Sequence, residues 1–188
     1  MKKYGLLVLL CGVFAFPLPA QEVLTVDAAL TKASLQILMP AKAKVLVLSY
    51  ETPAKTFSDY IGEVLTYDLE VKMKRNVITY RNVDTIHADY RIRDPAISDK
   101  KAVEIGKALG VNVVILAAVK KLGSDYQMKF VPLTVRTGKA GTSLTYKLKE
   151  DNVLTELLSG PAVTEMEAAG APVEGAVRRL RAMRDASN

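Results

Sequence analysis

The sequence predicts an α/β (α+β) fold, a single compact domain with a central mixed, largely antiparallel sheet flanked by helices. Three observations carry that expectation. Stretches with helical periodicity alternate with short β-branched apolar runs from Leu24 onwards. One run, "VNVVILAAV" from Val111 to Val119, is apolar on both faces, which a strand needs when both faces are covered. A meander of alternating segments and turn residues then follows. The 188 residues suit one domain, and 49% apolar with 24% charged residues suits a packed core.

The first twenty residues are set apart from that domain. Lys2 and Lys3 precede an apolar stretch from Leu6 to Phe16, and "PLPAQE" then offers Ala20 before a polar residue. This is the layout of a secretory signal, with cleavage expected between Ala20 and Gln21, and the apolar stretch is too short to span a membrane. Cys11 follows Leu9 and Leu10, whereas lipidated cysteines normally follow a small residue, so it reads as discarded with the signal. No cysteine remains after cleavage, which excludes a disulfide and a thiol nucleophile. Losing Lys2 and Lys3 lowers the formal net charge from +6 to +4, because residues 1–20 hold no acidic residue. That mild basicity favours anionic surfaces without specifying one, and export makes nucleic acid an unsuitable partner.

Each element has its own signal. "LTVDAALTKASLQILMP" predicts a first helix, capped by Thr25, with Asp27 near its positive end and Pro40 beyond its close. "KVLVLSY", Lys44 to Tyr50, predicts a strand, and "ETPAK" a loop. Phe57, Tyr60, Ile61, Val64, Leu65 and Leu69 recur at three- and four-residue spacing, predicting a helix over Thr56 to Met73. "NVITY" from Asn76 predicts a second strand, "NVDTIHADY" a short helix with Asn82 as its cap, and "RIRDPAI" a charged loop. Ser98 caps the next helix, with Ala102, Ile105 and Leu109 inward and Gly110 at the C-terminal position that accepts positive φ. After the apolar strand, "LGSD" predicts a turn and "YQMKFVPLTVR" a strand with Tyr126, Met128 and Phe130 inward. Pro132 lacks an amide hydrogen, so that strand should meet an edge or a bulge there. "TGK" turns the chain, "AGTSLTYKLK" returns, and Glu150 to Leu158 predicts a helix. Residues 160–188 comprise a Gly/Pro/Ala-rich linker and a basic amphipathic helix, expected to dock on the domain, with a membrane-surface role as the alternative.

Few residues offer chemistry. His87 is the one histidine, and no cluster has the spacing of a zinc site. A serine nucleophile would lack both a G-x-S-x-G elbow and any other base. Asp59 and Glu63 lie four apart on the helix and read as a solvated polar face. "RTGKAGTS" lacks the first glycine of a phosphate loop, has Ala140 where Ser or Thr should follow the lysine, and reads as a hairpin turn. "EIGKALG" lacks the G-x-G-x-x-G order, and its last glycine ends a helix. The sequence thus predicts no enzyme, no catalytic residue, no cofactor and no metal.

The order of segments carries a resemblance. "KVLVLSYETPAKTFSDYIGEVLTYDLE", "NVITYRNVDTIHAD" and "SDKKAVEIGKALGVNVVILAAVKKLGSDYQMKFVPLTVRTGK" together resemble the exported family that includes CsgG, HfaB and the LpoB-type activators of penicillin-binding proteins. The resemblance runs from about Lys44 to Tyr146, with "IGKALG" and the apolar strand as its most specific part. Versions of this domain common in spirochaetes also have a helix such as "LTVDAALTKAS" before the first strand. It implies a central sheet flanked by helices and a non-catalytic role in the cell envelope. LpoB-type proteins bind and stimulate a peptidoglycan synthase; CsgG-type proteins form an oligomeric secretion channel. This chain has Thr79, Tyr80 and Arg81 where the family usually ends its second strand in Asp-Arg. It also has no pair of long alternating segments for a membrane barrel.

The expected role is therefore an envelope protein-binding module in the periplasm or at the outer membrane. The alternatives are a periplasmic subunit of a CsgG-like assembly, a homo-oligomer in that case, and a small-ligand-binding protein or hydrolase. Loops on a rigid scaffold carry binding residues, and Arg and Tyr are favoured interface anchors. The candidate contacts are accordingly Glu51, Thr52 and Lys55 in the first loop, and Tyr90, Arg91 and Arg93 in the charged one.

Overall fold

Residues 22–49, 51–78 and 97–159 are described in the computed structural model. The stretches expected to form the signal segment, the short helix with Asn82 and His87, and the linker and basic helix after Ser159 lie outside them. Within them the chain order is β1 (Val23–Leu24), α1 (Val26–Gln36), β2 (Lys44–Ser49), α2 (Lys55–Tyr67), a π turn (Asp68–Lys72) and β3 (Asn76–Val77). Then come α3 (Asp99–Ala108), β4 (Val113–Leu122), β5 (Asp125–Thr134), β6 (Lys139–Ala140), β7 (Leu144–Leu148) and α4 (Asn152–Leu158).

Capping follows the sequence closely. The Thr25 hydroxyl accepts from the Ala28 amide at 3.2 Å, and Ser98 accepts from Lys101 at 3.3 Å. Asp151 accepts from Leu154 at 2.8 Å, so α4 starts two residues after Glu150. Each bond satisfies an amide that the first helical turn leaves without an internal partner. Gly110 takes φ 62° just past α3, which stops the helix where the sequence places its end.

One sheet organises the domain, in the order β1-β7-β5-β4-β2-β3, with β6 beside β5. β2 runs parallel to both β3 and β4, while β5 is antiparallel to β4, β6 and β7. The longest pairing is the β4–β5 hairpin, in register from Val113↔Thr134 to Leu122↔Asp125. Gly123, at φ 64°, supplies the positive dihedral that so tight a hairpin turn needs. The sheet is mixed and largely antiparallel, as expected.

Pro132 meets its expected edge inside the sheet. β7 pairs with β5 as far as Phe130↔Leu144, and β6 pairs only with Leu133 and Thr134. Pro132 falls between these partners, and its carbonyl accepts from the Gly141 amide at 2.7 Å. Its missing amide hydrogen therefore faces a gap, where no ladder bond is lost.

Alternation along the strands sends side chains into two cores. Val45, Val47, Ile115, Ala117, Val119, Met128, Phe130 and Tyr146 meet α1, α2 and α4 on one face. Leu46, Leu48, Val114, Leu116 and Leu133 meet α3 on the other. The apolar run of β4 is thus covered on both sides, as its composition requires. Gly106 lets α3 come close: a Cβ there would lie 2.6 Å from Val135 Cγ2 and 2.8 Å from Val114 Cγ2. The first glycine of "IGKALG" is a packing residue, and the second is a helix stop.

Two expectations need correcting. The helix predicted to Met73 is α-helical only to Tyr67, and continues as a π turn. Asp59 and Glu63 do not form a solvated face: Asp59 is only 6% exposed, and Lys55 Nζ reaches both of its carboxylate oxygens at 3.1 and 3.2 Å. The sequence reading gave that side of the helix to solvent because its residues are polar, but Thr56, Asp59 and Thr66 are buried along it.

Candidate protein-contact surface

The carboxyl ends of β2, β4 and β7 point the same way, since β4 and β7 are each antiparallel to β5 and β2 is parallel to β4. Chain leaving β2 enters α2 on one face of the sheet, and chain leaving β3 returns through α3 on the other. Adjacent strands whose connections part to opposite faces form the switch point at which open α/β sheets place binding loops. The first candidate loop, 51–54, sits at this point.

That loop is fastened at each candidate residue. Glu51 takes φ 51°, a left-handed conformation uncommon for a residue with a side chain. Its carbonyl accepts from the Val119 amide at 3.2 Å, and its carboxylate meets Lys120 Nζ at 2.8 Å. The Thr52 hydroxyl donates to the Ala54 carbonyl at 3.1 Å, and Lys55 is held by Asp59. Ala54 opens α2 with no side-chain cap, and Ser58 ties the helix back by donating to the Ser49 carbonyl at 3.4 Å. Glu51, Thr52 and Lys55 are thus brought together, with their polar groups engaged inside the chain. Tyr90, Arg91 and Arg93 lie outside the described residues.

The Glu51–Lys120 pair joins this loop to a surface that sequence reasoning missed. On the α3 face the apolar cover ends below Ala118, and the side chains beyond it belong to the far ends of three neighbouring strands. By register, Ala118, Lys129 and Thr145 form one row, and Lys120, Gln127 and Lys147 the next. Val23 on β1 lies beside Lys147. Lys120 and Lys129 are exposed, and Lys147 is partly so. Lys147 pairs with Asp125 at 2.7 Å, in parallel with the Lys120–Glu51 pair. Lys129, between and below the two pairs, has no carboxylate partner among the described residues. The signal in the sequence was the outward half of each alternating strand, with Gln127 and Lys129 opposite Met128 and Phe130. Only the register shows that three strands share it.

Among the described residues no three His, Cys, Asp or Glu side chains group to hold a metal, and no helix is long and apolar enough to cross a membrane. The surface offers ion pairing and hydrogen bonding to a second molecule.

The domain defined by this sheet, its helices and its capped ends has the α+β fold of LpoB domains. It superposes on the LpoB C-terminal domain from Escherichia coli with a TM-score of 0.54 at 15% identity, over 66% of this chain and 98% of that one. The Salmonella enterica LpoB C-terminal domain gives 0.52 at 15% identity, over 67% and 96%. The NMR structure of E. coli LpoB gives 0.52 at 14% identity, over 78% and 79%. No family model matches the sequence, and no curated protein matches it.

Proposed function

We propose that this chain is a non-catalytic module of the cell envelope that acts by binding another protein there, a peptidoglycan-synthesis enzyme or a comparable envelope component. The observation that carries this reading is the fold: nearly the whole LpoB C-terminal domain finds its counterpart here. The likeness of "KVLVLSYETPAK" and "EIGKALGVNVVILAAV" to the CsgG and LpoB type supports it from the sequence side. In this reading residues 1–20 direct export and are removed before Gln21, residues 21–159 form the binding domain, and residues 160–188 are an appended linker and basic helix. The protein then works in the periplasm or at the outer membrane. Tyr90, Arg91 and Arg93 supply anchors, and the fastened loop at Glu51 supplies a second, rigid contact.

The test is capture from native envelope extract with the mature chain as bait, followed by purification of what is captured. A defined protein should bind at 1:1 stoichiometry, and Arg91→Glu with Arg93→Glu should weaken it about tenfold or more, the usual scale for losing interface anchors. Ring-sized particles in native mass measurements would instead favour a secretion-assembly subunit. The mass of the exported protein should start at Gln21 without lipid; a lipidated Cys11 would overturn the cleavage assignment.

A further inference from the structure

We propose that the lysine-bearing face formed by the ends of β4, β5 and β7 is the seat of a protein partner that places a carboxylate over Lys129. This deepens the envelope-binding reading and rests on it. The face is continuous, because its side chains come from adjacent strands about 4.8 Å apart. Lys129 stands diagonal to both Lys120 and Lys147, a Cα separation of about 7–8 Å, within a physiological Debye length. Three ammonium groups therefore act on one another, yet among the described residues only two have carboxylates: Glu51 on Lys120 and Asp125 on Lys147. An incoming carboxylate at Lys129 completes the pattern.

The same pattern selects among occupants. The chain's own tail is a poor fit, because "VRRLRAMRD" would bring Arg178, Arg179, Arg181 and Arg184 against lysines. A phospholipid surface is also a poor fit, because it would press phosphates on Glu51 and Asp125 as well as on the lysines, and among the described residues no large aromatic side chain stands on this face to insert. A protein surface can set one acid at Lys129 while leaving the two flanking pairs intact. Thr145 beside Lys129 offers a hydrogen-bonding side chain, and exposed Val23 and Leu122 at the rim offer apolar contact.

The experiment uses the purified protein captured by the mature chain, titrated against wild-type chain and against Lys129→Glu, Lys129→Arg and Lys100→Glu. Lys129 and Lys100 are both exposed, so each variant should keep the wild-type thermal midpoint. Lys129→Glu should weaken binding tenfold or more and flatten its salt dependence, while Lys129→Arg and Lys100→Glu stay within twofold. A Glu→Lys or Asp→Lys change on the partner should restore binding to Lys129→Glu. Undiminished binding by Lys129→Glu would overturn this face while leaving the envelope-binding reading intact. Loss only with Arg91→Glu and Arg93→Glu would do the same. Failure to capture any protein would overturn both. Binding of wild-type chain to phosphatidylglycerol vesicles that Lys129→Glu abolishes, with no protein captured, would replace the protein seat with a lipid one.

Discussion

Tyr146 concentrates several effects in one side chain. Its ring tilts against Phe130, with centroids 6.2 Å apart, and its hydroxyl donates to Gln36 Oε1 at 2.7 Å. Burial, and secondly the negative charge of Glu22, push the phenol above its ordinary value of 10.0. The folded state therefore holds the proton more tightly than the unfolded chain does. The stability this contributes is complete below about pH 10, and is lost as pH rises through the higher folded value. Urea denaturation should show the wild type losing stability above about pH 10 more steeply than Tyr146→Phe. The phenylalanine variant should be about 1 kcal/mol weaker near neutral pH, having lost one hydrogen bond. Parallel curves for the two proteins would refute the assignment. The Tyr146–Gln36 bond was not legible in the sequence, since 110 residues separate the partners.

At the scale of elements, the π turn after α2 is the feature that periodicity concealed. Leu69 continues the apolar spacing of α2, so the pattern reads as one helix, although the ladder widens from Asp68 to Lys72. Asp68 is wholly buried there, accepting from the Thr31 hydroxyl at 3.1 Å and facing Lys72 Nζ at 2.7 Å. It joins the π turn to α1. Asp68→Ala should cost about 2 kcal/mol by chemical denaturation, because hydrogen bonds to charged groups are worth about 1.5–3 kcal/mol; a cost below about 0.5 kcal/mol would show that the link is idle. Elements with strong local chemistry were legible: Thr25 and Ser98 as caps, Gly110 as a stop, Gly123 as a hairpin turn. β1 was not, because two residues have no periodicity and are fixed only by their register with Lys147 and Leu148. The candidate surface was half legible for the same reason. The loop at Glu51 is contiguous in sequence, whereas the Lys120–Lys129–Lys147 arrangement exists only once three strands pair.

For the whole molecule, the two cores are separate sets of side chains borne on the same strands. β2 and β4 each send alternate residues to both. A cavity on either side should therefore lower one shared transition. Phe130→Ala opens the face under α1 and α2, and Ile105→Ala opens the face under α3. Each should destabilise by about 2–5 kcal/mol, with far- and near-ultraviolet circular dichroism falling together. Separate transitions in either variant would mean that the layers melt independently.

The two outermost strands bear on how anything can attach to this domain. β1 and β3 are two residues long, and β1 already occupies the outer side of β7 at Lys147 and Leu148. Among the described residues this leaves β7 free along its outer side only from Leu144 to Tyr146. Among the described residues, a visiting peptide that tried to add a strand outside β1 or β3 would find only two residues of backbone on each, and short edge strands of this kind guard against copies of the chain zipping together there. At the edges of β1 and β3 any attachment falls to side chains, so binding there should respond to single substitutions rather than tolerate any extended segment of matching length.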